Sequence, residues 1–382
     1  MLILTLNAGS SSIKYKLFED KTPILSGLIE GIGEQKGRWH HQNESQERSF
    51  PGHQQAFAAL ANQLNNDLHG RVIEGVGHRV VHGGDTLWQP TIITPAVLAE
   101  IKDLARLAPL HNPVNALGIE YAQQHFPDAC HVAVFDSGFH HNMPDYVRQY
   151  AIDRETARQF QIQHYGFHGI NHEYVALTAA RYLQKPLSAC NFISLHLGNG
   201  ASACLIKAGQ SVDTSMGMTP LAGLVMGTRC GDIDPAIPLY LIEQGLTAQE
   251  IDTLLNKKSG LKGVGGDNDM RNILARVEAG DAGAILAVEM YVHAIQKYIG
   301  AYLSQVETLD ALIFTGGVGE NSAVIRERVM KPLTQFDFHL VEGLNEQRSK
   351  ADCFSISQTG KLMLVIRSDE EMLIAESVSA LM

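Results

Sequence analysis

Two arginines stand among glycines in a chain that is otherwise acidic. Arg79 lies in Gly77-His-Arg-Val-Val-His-Gly-Gly84 and Arg229 in Gly227-Thr-Arg-Cys-Gly-Asp-Ile-Asp-Pro235, against a formal net charge of −11. A cation in such surroundings reads as a ligand group, and the ligand it suits is an anion. A bare stretch of backbone points the same way. Ile193 to Ile206 reads as two apolar strands about Gly198-Asn199-Gly200. There, glycines able to take positive φ let another molecule approach the main chain, and Asn199, Ser202 and the freed N–H groups offer hydrogen bonds to a phosphate. An ordinary hairpin whose glycines serve only the turn would carry the same residues. Further along, the strand Ala311–Phe314, the turn Thr315-Gly-Gly-Val-Gly-Glu-Asn321 and a helix from Ser322 form a nucleotide seat. Asp136 follows an apolar strand, His131–Phe135, at the end where ligands bind in open α/β sheets. Asp369-Glu370-Glu371 follows the strand Leu362–Ile366 and is either solvated charge or a place for magnesium. Neither a Rossmann fingerprint nor a P-loop is present, which disfavours dinucleotide and P-loop enzymes.

The elements that must position these groups come in a repeated order. Leu2–Asn7, a small polar turn and Ile13–Phe18 form a second hairpin. Two such hairpins imply a duplicated α/β fold with a phosphate chain between its halves. Apolar spacing predicts helices over His53–Leu68, Thr94–Ala108 (Thr94 as N-cap), Val114–Gln124, His172–Leu183, Ala236–Glu243, Thr247–Asn256 and Ala282–Leu303, and a strand over Val72–Val81. Gly263 to Arg271 reads as a loop ending in Asp269-Met270-Arg271. The pattern begins again near Ala151, giving one domain over 1–150 plus 372–382 and a second over 151–371. His111, between two prolines, is either a hydrogen-bonded loop residue or part of the site. His164, His168 and His172 recur every fourth residue, but Gly166 and Gly169 interrupt the helix that would align them, which argues against zinc.

A length of 382 residues with 45% hydrophobic and 19% charged side chains suits two well-packed domains. The acidic balance disfavours nucleic acid and anionic membrane surfaces. Five scattered cysteines form no Cys-x-x-Cys pair, so disulfides and structural zinc are not expected. With no signal-like start and no spanning apolar run, the chain reads as a cytoplasmic protein.

Read together, Asn7-Ala-Gly-Ser-Ser-Ser-Ile-Lys14, the Arg79 and Arg229 segments, Ala108-Pro-Leu-His-Asn-Pro113, Tyr165-Gly-Phe-His-Gly169 and His196-Leu-Gly-Asn-Gly200 closely resemble the acetate kinase family, in order and over nearly the whole chain. The resemblance implies the duplicated two-domain fold of acetate and sugar kinases and actin-like ATPases. It also implies a nucleotide cleft between the domains and a homodimer. The cofactor it implies is magnesium, with manganese as a substitute, and the reaction is reversible transfer of the ATP γ-phosphoryl group to acetate, giving acetyl phosphate and ADP. By matching positions, Asn7 and Glu370 belong to the magnesium site and Lys14 contacts nucleotide. Arg79 binds the acid, Asp136 is the catalytic aspartate, and His168 with Arg229 stabilises the transition state. Three nucleotide segments are implied: His196, Leu197, Gly198, Asn199 and Gly200; Asp269, Met270 and Arg271; and Gly317, Val318, Gly319, Glu320 and Asn321. Val81, Leu110, Phe167 and Pro220 surround the methyl group of acetate. The chain departs from the family at Asp136-Ser-Gly-Phe-His-His-Asn-Met-Pro144, usually Asp-Thr-Ala-Phe-His-Gln-Thr-Met-Pro; at Gly169-Ile-Asn-His172, usually Gly-Thr-Ser-His; and at Asp369, usually asparagine.

The chemistry suits these residue types. An anionic acid must meet an anionic phosphate, so two arginines and a histidine supply the missing positive character. A carboxylic acid is already ionised at neutral pH, its pKa being about 4, so no general base is needed and Asp136 serves better to organise magnesium or orient an arginine. Propionate kinase is the nearest rival reading. A sugar kinase would begin its first hairpin with aspartate where this chain has Asn7, and an actin-like nucleotide switch would not need two phosphoryl-facing arginines.

Overall fold

Each hairpin founds a sheet. In the computed structural model, which describes residues 1–347, 349 and 351–382, β1 (Leu2–Ala8) and β2 (Ser12–Glu19) pair antiparallel with Asn7 opposite Lys14. β3 (Thr22–Glu30), β4 (Arg38–His41) and β5 (Glu44–Glu47) extend this sheet on one side. Helix α1 (His53–Leu68) then leads to β6 (Gly75–Val80) and β7 (Thr91–Ile92). Helices α2 (Pro95–Asp103) and α3 (Asn112–His125) precede β8 (Cys130–Phe135). The strand order is β5-β4-β3-β2-β1-β6-β8-β7.

After two short helices, α4 (Asp145–Arg148) and α5 (Arg154–Gln159), α6 (Gly169–Leu183) leads into β9 (Phe192–Leu197), β10 (Ala201–Lys207) and β11 (Gln210–Thr214). Five helices follow: α7 (Ala236–Glu243), α8 (Ala248–Lys257), α9 (Gly260–Gly265), α10 (Met270–Glu278) and α11 (Ala282–Leu303). β12 (Ala311–Thr315), α12 (Gly316–Asn321), α13 (Ala323–Met330), β13 (Phe338–Leu340), α14 (Glu342–Asn345), β14 (Cys353–Ser355), β15 (Ser357–Gly360), β16 (Leu362–Ile366) and α15 (Glu370–Leu381) complete the chain. The second sheet runs β11-β10-β9-β12-β16-β14, and β13 pairs with β15 separately. Both large sheets thus repeat one plan. Three antiparallel strands come first, and two parallel strands are then added in succession beside the first of them: β6 and then β8 beside β1, β12 and then β16 beside β9.

The chain divides into Met1–His141 with Asp369–Met382, and Asn142–Ser368. These bounds fall a few residues from 150 and 371, and the difference matters at the second. Asp369, Glu370 and Glu371 belong with the first unit because they cap and begin α15, which lies on β6 and β1. A side chain at Gly77 would meet Ile374 at 2.4 Å and one at Gly75 would meet Val378 at 2.6 Å, so these glycines let the helix sit close to the strands. Gly77, one of the glycines that made Arg79 read as a ligand group, therefore serves helix packing. In the first core, Leu4, Ile13, Leu17 and Trp39 from the sheet meet Phe57, Leu60 and Leu64 of α1, each large side chain contributing about 1.5–3 kcal/mol on burial.

Several expectations change. The Val72–Val81 strand starts at Gly75 and ends at Val80, and the helix begun at Thr94 gives way after Asp103 to a 3-10 turn. The stretch from Gly263 to Arg271 expected as a loop holds the end of α9 (Gly260–Gly265) and the start of α10 (Met270–Glu278), and Gly316–Asn321 is a short helix rather than a turn. Gly169 begins α6 instead of interrupting it.

Candidate functional site

In the first unit the site residues gather about one ion pair. Arg79, next to last on β6, directs Nε and Nη2 at the two carboxylate oxygens of Asp136, at 3.0 and 2.5 Å. Asp136 is 1% exposed, just past β8. Burial works against the Arg79 charge, but Asp136 and then Glu370 more than offset it and hold the guanidinium well above its usual range. Glu370 lies 3.6 Å from Arg79 Nε. Its neighbours are also matched: Asp369 meets Lys16 at 2.8 Å and Glu371 meets Lys14 at 2.6 Å. The three acids occupy the N-cap and first turn of α15, where the helix dipole favours negative charge. They were read as a possible metal site at a strand end, but much of their placement is explained by the helix and the three cations. Lys14, expected to contact nucleotide, here pairs with Glu371.

Magnesium is tested by donor chemistry. It takes hard oxygen ligands, commonly one or two carboxylates completed by water and substrate phosphate. Asn7, near the end of β1, and Glu370 offer an amide oxygen and a carboxylate, and no hydrogen bond engages the Asn7 amide among the described residues. That set fits magnesium. Among the described residues no group of three or more His, Cys, Asp or Glu is placed to hold a metal ion by itself.

The second unit presents a different charge pattern. Arg229 gives Nη1 to the carbonyl of Pro220 at 3.1 Å and lies 3.8 Å from Met226 Sδ, with no carboxylate in salt-bridge range among the described residues. Burial alone pulls its pKa below the ordinary value. The hairpin tip is three residues long, since Leu197 pairs with Ala201. Neither Gly198 nor Gly200 takes the positive φ expected from sequence. Their smallness matters instead: a Cβ on Gly200 would lie 3.4 Å from His168 Nε2 and 3.6 Å from Arg229 Nη1. A guanidinium nitrogen and a ring nitrogen thus converge on the space that a side chain would fill. His168 holds a left-handed backbone at φ 57° as it starts α6, a conformation uncommon outside glycine and frequent at functional sites. Its ring lies 4.3 Å from that of His196, whose Nδ1 faces Asn171 Nδ2 at 2.7 Å.

The remaining segments expected to meet nucleotide are held by their own polar groups. Asn199 accepts from Asn268 at 3.3 Å, and its carbonyl accepts from Gly227 at 2.9 Å. Asp269 caps α10 and pairs with the exposed Arg271 at 2.6 Å, while Met270 is buried, leaving its backbone rather than its side chain to meet a ligand. Glu320 accepts from the Gly316 and Ser368 amides at 3.0 Å, and Asn321 donates to the Gly317 carbonyl. Gly317 faces open space. Val318 and Gly319 lie between them on α12. Sequence reading passed over Arg326, which is buried and brought down to about 10 by burial, and which donates to the carbonyls of Gly319 and Glu320. That bracing lets a glycine-rich segment stay helical.

The apolar residues expected around a methyl group divide between the units: Val81 and Leu110 in the first, Phe167 and Pro220 in the second. Val81 and Phe167 are buried and Leu110 is 47% exposed. Val81 lies beyond the strand, its N–H bonded to Asn115 Oδ1 at 3.1 Å, so strand alternation with Arg79 does not set its direction. His111 is the N-cap of α3.

The profile of the acetokinase family matches residues 2–376. The chain is 46% identical to an acetate kinase of Streptomyces coelicolor, covering 99% of this chain and 96% of that one, and 46% identical to an acetate kinase of Clavibacter sepedonicus, covering 98% and 97%. Among solved structures it resembles a propionate kinase from Francisella tularensis with a TM-score of 0.94, 39% identity and complete coverage of both chains. An acetate kinase from Porphyromonas gingivalis gives 0.91 and 37%, covering 99% of each.

Proposed function

The chain belongs to the acetokinase family and is an ATP-dependent kinase that phosphorylates the carboxyl group of acetate, and we propose that it does so by direct in-line transfer with magnesium or manganese bound. The observation that carries this reading is Arg229, a partly buried guanidinium with a carbonyl but no carboxylate partner among the described residues. It is available to an arriving phosphoryl group, and His168 adds a second donor at the bare tip. The other arginine has a separate task. Asp136 engages two of the five N–H donors of Arg79, fixing the plane of the guanidinium and leaving Nη1 for the acid's carboxylate. Acetate arrives ionised, so Asp136 acts as an orienting group rather than as a base. Asn7 and Glu370 would hold the metal, which when bound supplies charge neutralisation on the phosphate oxygens.

The first unit is read as the acid-side domain with Lys14 reaching nucleotide. The second is read as the nucleotide-binding domain, through His196 to Gly200, Asp269 to Arg271 and Gly317 to Asn321, with Phe167 and Pro220 added to Val81 and Leu110 at the methyl group. A homodimer in the cytoplasm completes the reading. Its support is α7, where Ile237, Leu239, Tyr240 and Ile242 are exposed and no residue is buried. A second copy of the chain would cover that face; among the described residues no helix is long and apolar enough to cross a membrane. Light scattering that returned the mass of one chain would remove the dimer.

The function is tested with ATP, magnesium and hydroxylamine, by following acetate-dependent hydroxamate. The expected result is a higher kcat/KM for acetate than for propionate, with Val81→Ala narrowing the ratio. Discrimination by one methylene is limited to about 10–200-fold, so some propionate turnover should remain. A higher kcat/KM for propionate would favour the activity named for the Francisella relative.

A further inference from the structure

Behind His168 lies a chain of buried polar side chains that includes Ser202, whose hydroxyl the sequence offered to a phosphate but which is fully buried between two histidines. His168 Nδ1 is 2.9 Å from Ser202 Oγ, Ser202 Oγ is 2.7 Å from His172 Nε2, and His172 Nδ1 is 2.9 Å from Ser194 Oγ. His172, Ser194 and Ser202 are all fully buried. They come from α6, β9 and β10, so their side chains are fixed by three packed elements.

Proton counting restricts what this chain can do. A serine hydroxyl has one proton, and a neutral imidazole has one N–H and one lone pair. Ser202 sits between two ring nitrogens and makes no other hydrogen bond among the described residues. If both rings donated to it, its own proton would be buried without an acceptor, at a cost of about 1–3 kcal/mol. If both rings accepted, one contact would lack a proton. Ser202 therefore accepts from one histidine and donates to the other, and all the protons in the row point one way.

The His168 end selects the direction. His168 Nε2 and Arg229 Nη1 converge on the space beside Gly200. A proton on His168 Nδ1 alone would turn a lone pair toward an anion there, whereas a proton on Nε2 would donate to it. We propose that Ser194, His172 and Ser202 form a proton-ordering row that holds neutral His168 in its Nε2–H form, with Ser194 Oγ–H donating to His172 Nδ1, His172 Nε2–H to Ser202 Oγ, and Ser202 Oγ–H to His168 Nδ1. His172 and Ser202 are thus positioning residues. They supply a hydrogen-bond donor without a second full charge beside Arg229. The inference rests on the phosphoryl-binding role of His168, while the tautomer can be measured independently of turnover.

The test uses full-length protein with 15N-labelled histidine at pH 7.5, with His168 resonances assigned by their loss in His168→Gln. Wild type is expected to show neutral His168 protonated at Nε2. Ser202→Ala should move part of the population to Nδ1–H and lower kcat by about 10–100-fold, the usual size of an effect through a group that orients a functional side chain, with KM for acetate and ATP changed less. Ser202→Thr keeps the hydroxyl and should retain the wild-type tautomer. A wild-type His168 protonated at Nδ1, or at both nitrogens, overturns the proposal even if no variant folds. An unchanged tautomer in folded Ser202→Ala overturns it as well. If the tautomer is as proposed but acetate is not phosphorylated, the row stands and the functional reading fails.

Discussion

The two units share a strand plan but treat their arginines in opposite ways. Arg79, in the first, is clamped by a buried carboxylate, with Glu370 nearby. Arg229, in the second, touches a carbonyl and a sulfur. A paired guanidinium is fixed in direction before any ligand arrives. One without an anionic partner keeps its electrostatic demand for the ligand. Duplication thus supplies two scaffolds, and the carboxylate at the end of β8 makes one of them an aiming device. Directly after β16 the chain has Arg367 where β8 is followed by Asp136, and the acids that come next, Asp369 to Glu371, belong to the first unit with α15.

The sharpest way to break this comparison is to remove each arginine. Arg229→Ala and Arg79→Ala should each lower kcat/KM by about 10³ or more, as for other groups that bind a transferring phosphoryl unit or its acceptor. They should differ in stability. Arg79→Ala strands Asp136 as a buried charge and should cost about 3–5 kcal/mol, whereas Arg229→Ala removes a buried charge that lacks a counterion and should leave the urea midpoint nearly unchanged. Equal stability losses would show that the two environments are not different in kind.

A smaller effect is expected at the acids of α15. Glu370→Ala should raise the magnesium concentration for half-maximal rate, because it removes a hard oxygen donor. Asp369→Asn should leave that concentration near wild type and lose at most about 1 kcal/mol from its partly exposed pair with Lys16. The same magnesium dependence in both variants would discard Glu370 as a ligand.

The smallest test concerns pH in the first unit. His78 Nε2 lies 3.0 Å from His131 Nδ1, and burial first, then the neighbouring ring, pushes His78 well below its ordinary range. His131 is lowered mainly by burial. Both folded values lie below the unfolded one, so the pair contributes stability above pH of about 6.5 that is lost as pH falls toward the folded values. NMR titration should find both rings taking up their protons at lower pH than histidines of the unfolded chain, His78 by the larger margin. A ring of the pair that titrates at or above the unfolded value in folded protein would contradict this.

Much of the architecture was legible because its signals are local. The spacing of Ala56, Phe57, Leu60, Ala61, Leu64 and Leu68 gives α1 to the residue, and the two apolar runs about Gly198-Asn199-Gly200 give the second hairpin. The errors arose where distant partners override local preference. Glycines weaken a helix, by about 1 kcal/mol each relative to alanine, so Gly316–Asn321 read as a turn until Arg326 was seen to bind its carbonyls. Strands β4 and β5 have little apolar alternation beyond Trp39 and were not foreseen. At the site, residue types revealed the two arginines but could not reveal that only one has a carboxylate. Nor could spacing show that His172, weighed as a metal ligand, stands behind His168.

The return of α15 to the first sheet also fixes an order of events during synthesis. Ile374 and Val378 fill the space left by Gly75 and Gly77, and Asp369, Glu370 and Glu371 answer cations on β2 and β6. The second unit is continuous from Asn142 to Ser368, and the first lacks its covering helix until α15, made after it, leaves the ribosome. At about 5–20 residues per second, the interval is on the order of 10–50 s. The half of the protein made first is therefore the half finished last, and its uncovered β1 and β6 face is the surface a chaperone would meet on the nascent chain.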